Sequence, residues 1–201
     1  MRLRTILRGL CPPVLARLFL RWRHGVIVYR AGFSDWQAAQ AASGGYAHDA
    51  IIERVVAATD AVVAGRAVAE RDGVILDRLQ PPFHLLAPML AAALEREGRL
   101  VVVDFGGALG TLYRQCRPLL GSVRRLRWHV VEQAAFARIG HQNYENDELA
   151  FFDSLQAACA AEAPDVVLMS SVLQFLPDVA PVLSAVTSSG ARYLLVDRTP
   201  F

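Results

Sequence analysis

Residues 100–105 read LVVVDF and run straight into the glycine-rich turn GGALG, and no other stretch restricts the fold as much. A continuous apolar, β-branched run offers no polar side to water, so it fits a strand covered on both faces. Strands of that kind belong to parallel sheets with helices above and below. The rest of the second half supplies the matching pattern: strands at 127–132 (RWHVVE), 149–152 (LAFF), 165–170 (DVVLMS) and 193–197 (YLLVD). Helices are expected between them at 111–120, 134–139, 155–161, 172–176 and 179–186. The predicted fold is therefore α/β, a doubly wound, mostly parallel Rossmann-like sheet of about five strands in the order 3-2-1-4-5.

The first half reads as helical. A short helix follows Ser34 as N-cap and ends at Ser43-Gly44-Gly45. A longer amphipathic helix covers 48–69, with Ile51, Ile52, Val55, Val56, Ala58 and Val62 toward its buried side. Gln80-Pro81-Pro82 breaks the pattern, and a third helix runs over 83–97 to Gly98. No strand is expected before residue 99. The domain reading is residues 1–98 as a basic arm and helical lid, and 99–201 as the nucleotide-binding part, packed as one compact unit.

With 54% hydrophobic and 20% charged residues, the 201-residue chain has apolar side chains enough for one core, which excludes disorder and a disulfide-stapled miniprotein. Cys11, Cys116 and Cys159 are far apart and form no CxxC pair, so neither a zinc site nor a disulfide framework is expected. The longest uncharged apolar run falls short of a membrane span. All 21 basic residues are arginine, a bias that fits GC-rich coding and a bacterial source. Seven of them lie in residues 1–34 with no acid, leaving 14 arginines against 19 acids in the other 167 residues, a balance of −5.

The basic arm has Leu3, Ile6, Leu7 and Leu10, then Val14, Leu15, Leu18 and Phe19, at helical spacing around a Pro12-Pro13 hinge. Either it docks on the domain's own core, or residues 1–24 lie on an anionic membrane surface. Few aromatics interleave with the arginines, so no nucleic-acid partner is expected.

The turn at 106–110 is where a ligand is expected. Glycine lets the backbone approach a ligand closely, and the helix that follows favours polar or negative groups at its N-terminus. Its spacing is GGxxG with Asp104 ahead of it on the strand, not the GxGxxG of dinucleotide sites, which disfavours a nucleotide-linked oxidoreductase. Glu132 ends the second strand, where a carboxylate accepts hydrogen bonds from both hydroxyls of a ribose. Asp153 ends the third; alone, it also reads as a helix N-cap. Their joint position at the carboxyl ends of neighbouring strands is where open α/β sheets bind ligands.

The loop DFGGALG resembles the acid-and-glycine motif of class I S-adenosylmethionine (SAM) methyltransferases, with Asp104, Gly106 and Gly110 in register, Gly107 keeping the loop open, and Ala108 where a middle glycine is usual. Further, FGGALGT, WHVVEQ, SSVLQFLPD and VDRTPF, with Phe33, Trp36, Ala39, Ser43, Gly45, Tyr46, Ile51 and the 70–72 stretch, resemble a family of SAM-dependent methyltransferases associated with bacterial surface-polysaccharide biosynthesis. The resemblance covers about residues 30–201. It implies SAM as cofactor, with Asp104, Gly106, Gly107 and Gly110 holding its methionine part, Glu132 the ribose, Asp153 the adenine amino group with Phe152 on the ring, and Ser170 lining the site. It also implies methyl transfer to an oxygen of a sugar or glycan precursor, in the cytoplasm or at the inner membrane face.

A hydroxyl acceptor calls for a base, for which Asp197, His84 and Tyr46 are the candidates, with Arg198 and Gln174 as substrate contacts. Each has a plainer reading: His84 as a helix N-terminal residue, Tyr46 as part of the lid, Asp197 and Arg198 as a mutual pair. Class I methyltransferases usually continue beyond the fifth strand with a helix and an antiparallel pair, whereas this sequence stops at Phe201; that unit is expected to be missing. The alternative function is therefore an inactive methyltransferase-fold scaffold.

Overall fold

A computed structural model describes residues 32–42 and 49–199, which fall in two compact units divided between Ala42 and Ser43. The basic arm and Tyr46 lie outside the described residues. In the first unit the helix α1, Trp36–Ala41, is capped by Asp35, whose Oδ1 accepts from the Ala38 N–H at 2.8 Å. Ser34, the expected cap, instead donates to Asp35 at 2.9 Å. The carboxylate is the better acceptor for the positive end of a helix.

The second unit opens with α2, Asp49–Val63. It stops short of residue 69 because Gly65, at φ +70°, takes the left-handed conformation. Gly65 N–H then bonds Val62 O at 3.0 Å and Arg66 N–H bonds Ala61 O at 2.8 Å, the paired closure of a Schellman motif. The residues freed from the helix form an antiparallel hairpin, β1 Ala69–Arg71 and β2 Val74–Leu76, against the expectation of no strand before residue 99. Its turn residues, Asp72 and Gly73, have φ of +52° and +73°, as a type I′ turn needs. The hairpin is tied to the body through Glu70: Gln115 Nε2 donates to its carbonyl at 3.1 Å, and the Thr111 hydroxyl donates to its carboxylate.

After α3, Phe83–Glu95, the chain alternates between strands and helices. These are β3 Arg99–Phe105, α4 Thr111–Cys116, β4 Arg125–Val131, α5 Ala134–Asn143, β5 Leu149–Phe152, α6 Leu155–Ala161, β6 Val166–Ser170, α7 Ala180–Ser188 and β7 Tyr193–Asp197. All five sheet strands run parallel in the order β5-β4-β3-β6-β7, the doubly wound order expected. Alternate residues of the central strands serve two cores. Leu100, Val102, Trp128, Val130 and Leu168 pack with α2, α3, α4 and α5. On the other face Val103, Val131, Val167 and Met169 pack with α6 and α7. Each such side chain contributes about 1.5–3 kcal/mol by leaving water, which is why β3 and β6 are apolar along most of their length, whereas β4 interleaves Arg125, Arg127 and His129.

Leu85, Leu86, Met89, Ala92 and Ala93 of α3 lie in the same core as Leu100 and Val102. The helix α3 and the sheet thus belong to the same compact unit, which begins at Ser43. No helix among the described residues is long and apolar enough to cross a membrane.

Candidate functional site

Parallel register collects the site. Phe105 is paired with Val131, Val131 with Phe152, and Ser170 with Asp197, so the residues that follow each strand emerge along one edge of the sheet. Strand order reverses between β3 and β6, where the helices switch faces and a crevice opens. A cavity of about 670 Å³ occupies it, walled by Gly106, Gly107 and Ala108 on one side, and by Glu132, Asp153 and Ser170 along the strand ends. That volume lies within the range of small-molecule and cofactor sites.

The loop is built on close approach to the protein itself. A Cβ on Gly106 would lie 2.6 Å from the Val172 side chain, and one on Gly107 would lie 2.6 Å from Asp104 Oδ2. Glycine is thus required beneath the cavity floor as well as at its surface. Ala108, where the resembled motif has its middle glycine, adopts φ +50°, the region that glycine favours. The backbone keeps the motif's shape at the cost of local strain. Gly110, at φ +86°, starts α4 and does not line the cavity.

Glu132 is the polar centre of the wall. Its Oε1 accepts from the Ala108 N–H at 3.1 Å, and its Oε2 from the Gln133 N–H at 2.9 Å. Burial raises its carboxyl above the ordinary value, against the two backbone bonds that lower it. Each oxygen has a further lone-pair direction for a ligand hydroxyl. The Glu132 N–H donates to Phe152 O at 3.0 Å, which fixes the carboxylate beside Asp153.

Asp153 is not the cap of α6. Ser154 caps it, accepting from Ala157 N–H at 3.3 Å, which leaves the Asp153 carboxylate at the cavity wall without a hydrogen-bond partner among the described residues. Phe152, expected to lie on a ligand ring, packs instead on His129, with ring centroids 5.0 Å apart. Strand alternation turns it to the α6–α7 face.

Asp104 lies below the loop, 1% exposed and outside the cavity lining. Its Oδ2 accepts from Trp128 Nε1 at 3.1 Å, while Oδ1 has no partner among the described residues. Burial pushes its carboxyl up to about 7, outweighing the indole hydrogen bond, with the Glu132 charge adding to the rise. It supports the loop from beneath, packed against Gly107.

Ser170 joins the cavity to a polar cluster behind it. Its hydroxyl donates to Asp197 Oδ2 at 2.7 Å and accepts from Arg198 Nε and Nη2 at 3.1 and 2.9 Å. Asp197 also meets His84 Nε2 at 2.8 Å through Oδ1 and Arg198 Nε at 3.2 Å through Oδ2. Burial pushes the Asp197 carboxyl up, but the Ser170 and His84 hydrogen bonds and the nearby positive charges prevail and hold it below the ordinary value. His84 and Asp197, foreseen separately, are thus brought together, yet neither lines the cavity, whereas Ser170 and Arg198 do. Gln174 donates to Ser171 Oγ at 3.1 Å and also stays outside the lining.

Neither Arg54 of α2 nor Arg71 of β1 was read as a site residue from the sequence, Arg71 entering only through the 70–72 stretch of the resemblance, yet both line the wall. The Asp72-Gly73 pair was the available signal, because it marks a hairpin that carries Arg71 out of a helix and over the crevice. Comparison of the chain with family models, with curated proteins and with solved structures gives no match.

Proposed function

We propose that this chain binds SAM in the crevice and transfers its methyl group to a hydroxyl of a sugar or glycan precursor. The observation that carries the reading is the Glu132 carboxylate. It stands at the tip of the strand next to the glycine loop, held by two backbone N–H groups, with lone pairs left for the two hydroxyls of a ribose. The Asp153 carboxylate, one strand over and unpartnered among the described residues, suits an exocyclic amino group, and the close-packed loop 106–108 leaves room for the methionine part. SAM, when bound, would supply an electrophilic methyl group, taken by the acceptor oxygen as the sulfur–methyl bond breaks, S-adenosylhomocysteine leaves and the hydroxyl proton passes to solvent.

The chain's own part is positioning. Phe136 and Leu155 give the wall apolar surface that excludes water, and Ser170 with Arg198 presents polar groups where the acceptor would enter. A cytoplasmic setting, with residues 1–24 at the inner face of the membrane, belongs to the same proposal; the free thiols of Cys116 and Cys159 suit a reducing compartment.

Titration calorimetry of the full chain with S-adenosylhomocysteine tests the cofactor. Binding in the micromolar range is expected, weakened about tenfold or more by Glu132→Gln, which loses a charged acceptor. No binding by folded protein would sink the reading. A second reading, a cofactor-binding module without transfer, is favoured by the position of His84 and Asp197 behind the wall. Binding without turnover on any hydroxyl acceptor would support it.

A further inference from the structure

The arginines of the second unit fall into distinct groups. Arg96, Arg99, Arg117, Arg125, Arg127, Arg192 and Arg198 each stand within 4.0 Å of a carboxylate. Others, such as Arg138, are exposed and solvated. Arg71 fits neither group. It is half-buried at the cavity wall, its Nε is shielded from solvent with no acceptor among the described residues, and its Nη1 makes a long hydrogen bond of 3.4 Å to Gln80 Oε1. A shielded guanidinium N–H without an acceptor is a cost to the fold that an incoming anion removes.

Arg54 stands beside it on the same wall, with no hydrogen-bond or ion-pair partner among the described residues. Gly73 lies against it, so that even a Cβ there would be 3.2 Å from Arg54 Cγ and Nε. The hairpin turn thus rests on the Arg54 stem while β1 delivers Arg71. The one acid on this side is Asp72, in the exposed turn and within ion-pair distance of neither arginine. Glu132 and Asp153, the other acids of the wall, lie along the strand ends.

We infer that Arg71 and Arg54 form an oxyanion subsite in the cavity, and that the methyl acceptor carries a phosphate or carboxylate group which this pair holds. The word acceptor rests on the methyl-transfer reading; the subsite does not. A planar guanidinium offers paired N–H donors that match either oxyanion, and two of them on adjacent elements hold it from two directions.

The full chain, with and without S-adenosylhomocysteine, is titrated with inorganic pyrophosphate and, separately, with malonate. Arg71→Gln is expected to weaken the anion about tenfold or more, Arg54→Gln less, and Arg138→Gln not at all, with S-adenosylhomocysteine affinity the same in all three. Arg71→Lys, which keeps the charge and loses the fork, recovers part of the loss. In protein labelled with ¹⁵N arginine, the Arg71 Nε–H signal shifts as the anion is added. Preference for pyrophosphate or for malonate supports the subsite either way and identifies its group. Absence of binding up to about 10 mM, or equal binding by wild type and Arg71→Gln, overturns it. Anion binding that depends on Arg71 in a chain that ignores S-adenosylhomocysteine would leave the subsite standing and remove the methyl-transfer reading alone.

Discussion

Asp104 carries the acid of the glycine motif, yet it lies under the loop with one oxygen on the Trp128 indole and the other unpaired among the described residues. Its carboxyl is pushed from 3.8 up to about 7, so between roughly pH 4 and pH 7 the native chain keeps a proton that the unfolded chain has lost. The native state carries no penalty from this group below about pH 4; its stability then falls as pH rises to about 7, by at most roughly 4 kcal/mol. Asp104→Asn keeps an acceptor for the indole and removes the charge. Urea unfolding of the variant is expected to show a higher midpoint than wild type at pH 8 and little difference at pH 4. A gain of the same size at both values would show that the Asp104 charge is not its source. Ala108 makes the complementary point: its φ of +50° shows that the loop's shape is enforced by its surroundings, including the hydrogen bond from its N–H to Glu132, and not by residue type alone.

The elements of the sheet were legible because their physics is local. A strand covered on both faces is apolar on both, as at 100–105 and 165–170, and the β-branched and aromatic runs at 127–132, 149–152 and 193–197 also became strands within a residue or two, the last of them half exposed. Helix–strand alternation then leaves few right-handed connections, so the order followed. The hairpin was missed because three-residue strands are too short for periodicity to register, although Asp72-Gly73 between VAER and VIL is itself a turn signature. Site residues divide the same way. Glu132, Asp153 and the loop glycines sit at strand ends and could be read from strand boundaries, while Arg54 and Arg71 reach the cavity only through the packing of α2 and the hairpin. The α5–β5 contact tests how tightly such packing is set. A Cβ on Gly140 would lie 2.3 Å from the Phe151 ring, so Gly140→Ala should destabilise the chain by roughly 1–3 kcal/mol, read as a lower urea midpoint at unchanged slope. Wild-type stability in this variant would show that α5 slides freely on the sheet.

At the scale of the molecule, the cavity draws on α2, the hairpin, the glycine loop and the ends of β4, β5 and β6, so a ligand seated there ties first-half elements to the sheet. Ligand bound only by the native state stabilises all of these together, by about 2.7 kcal/mol at a hundred times its Kd. For a chain of this size that is a rise in melting temperature of roughly 5–10 °C with S-adenosylhomocysteine, expected to be largely lost in Glu132→Gln. A shift that persists in that variant would place the ligand elsewhere. Charge is also arranged at this scale: the first 34 residues hold seven arginines and no acid, while the remainder is net acidic. An isoelectric point of the whole chain therefore says little about either part.

The bond from Trp128 to Asp104 has an optical consequence. Trp128 is fully buried, with its indole N–H on the Asp104 carboxyl and its ring against the edge of Tyr113, centroids 6.0 Å apart. Ionisation of Asp104 near pH 7 places a full negative charge at the pyrrole end of a chromophore whose excited state shifts electron density toward the benzene ring, and an electric field along that axis moves the emission. The protein thus carries a built-in voltmeter under its glycine loop, one that reads out the charge beneath the cavity in the colour of its own fluorescence.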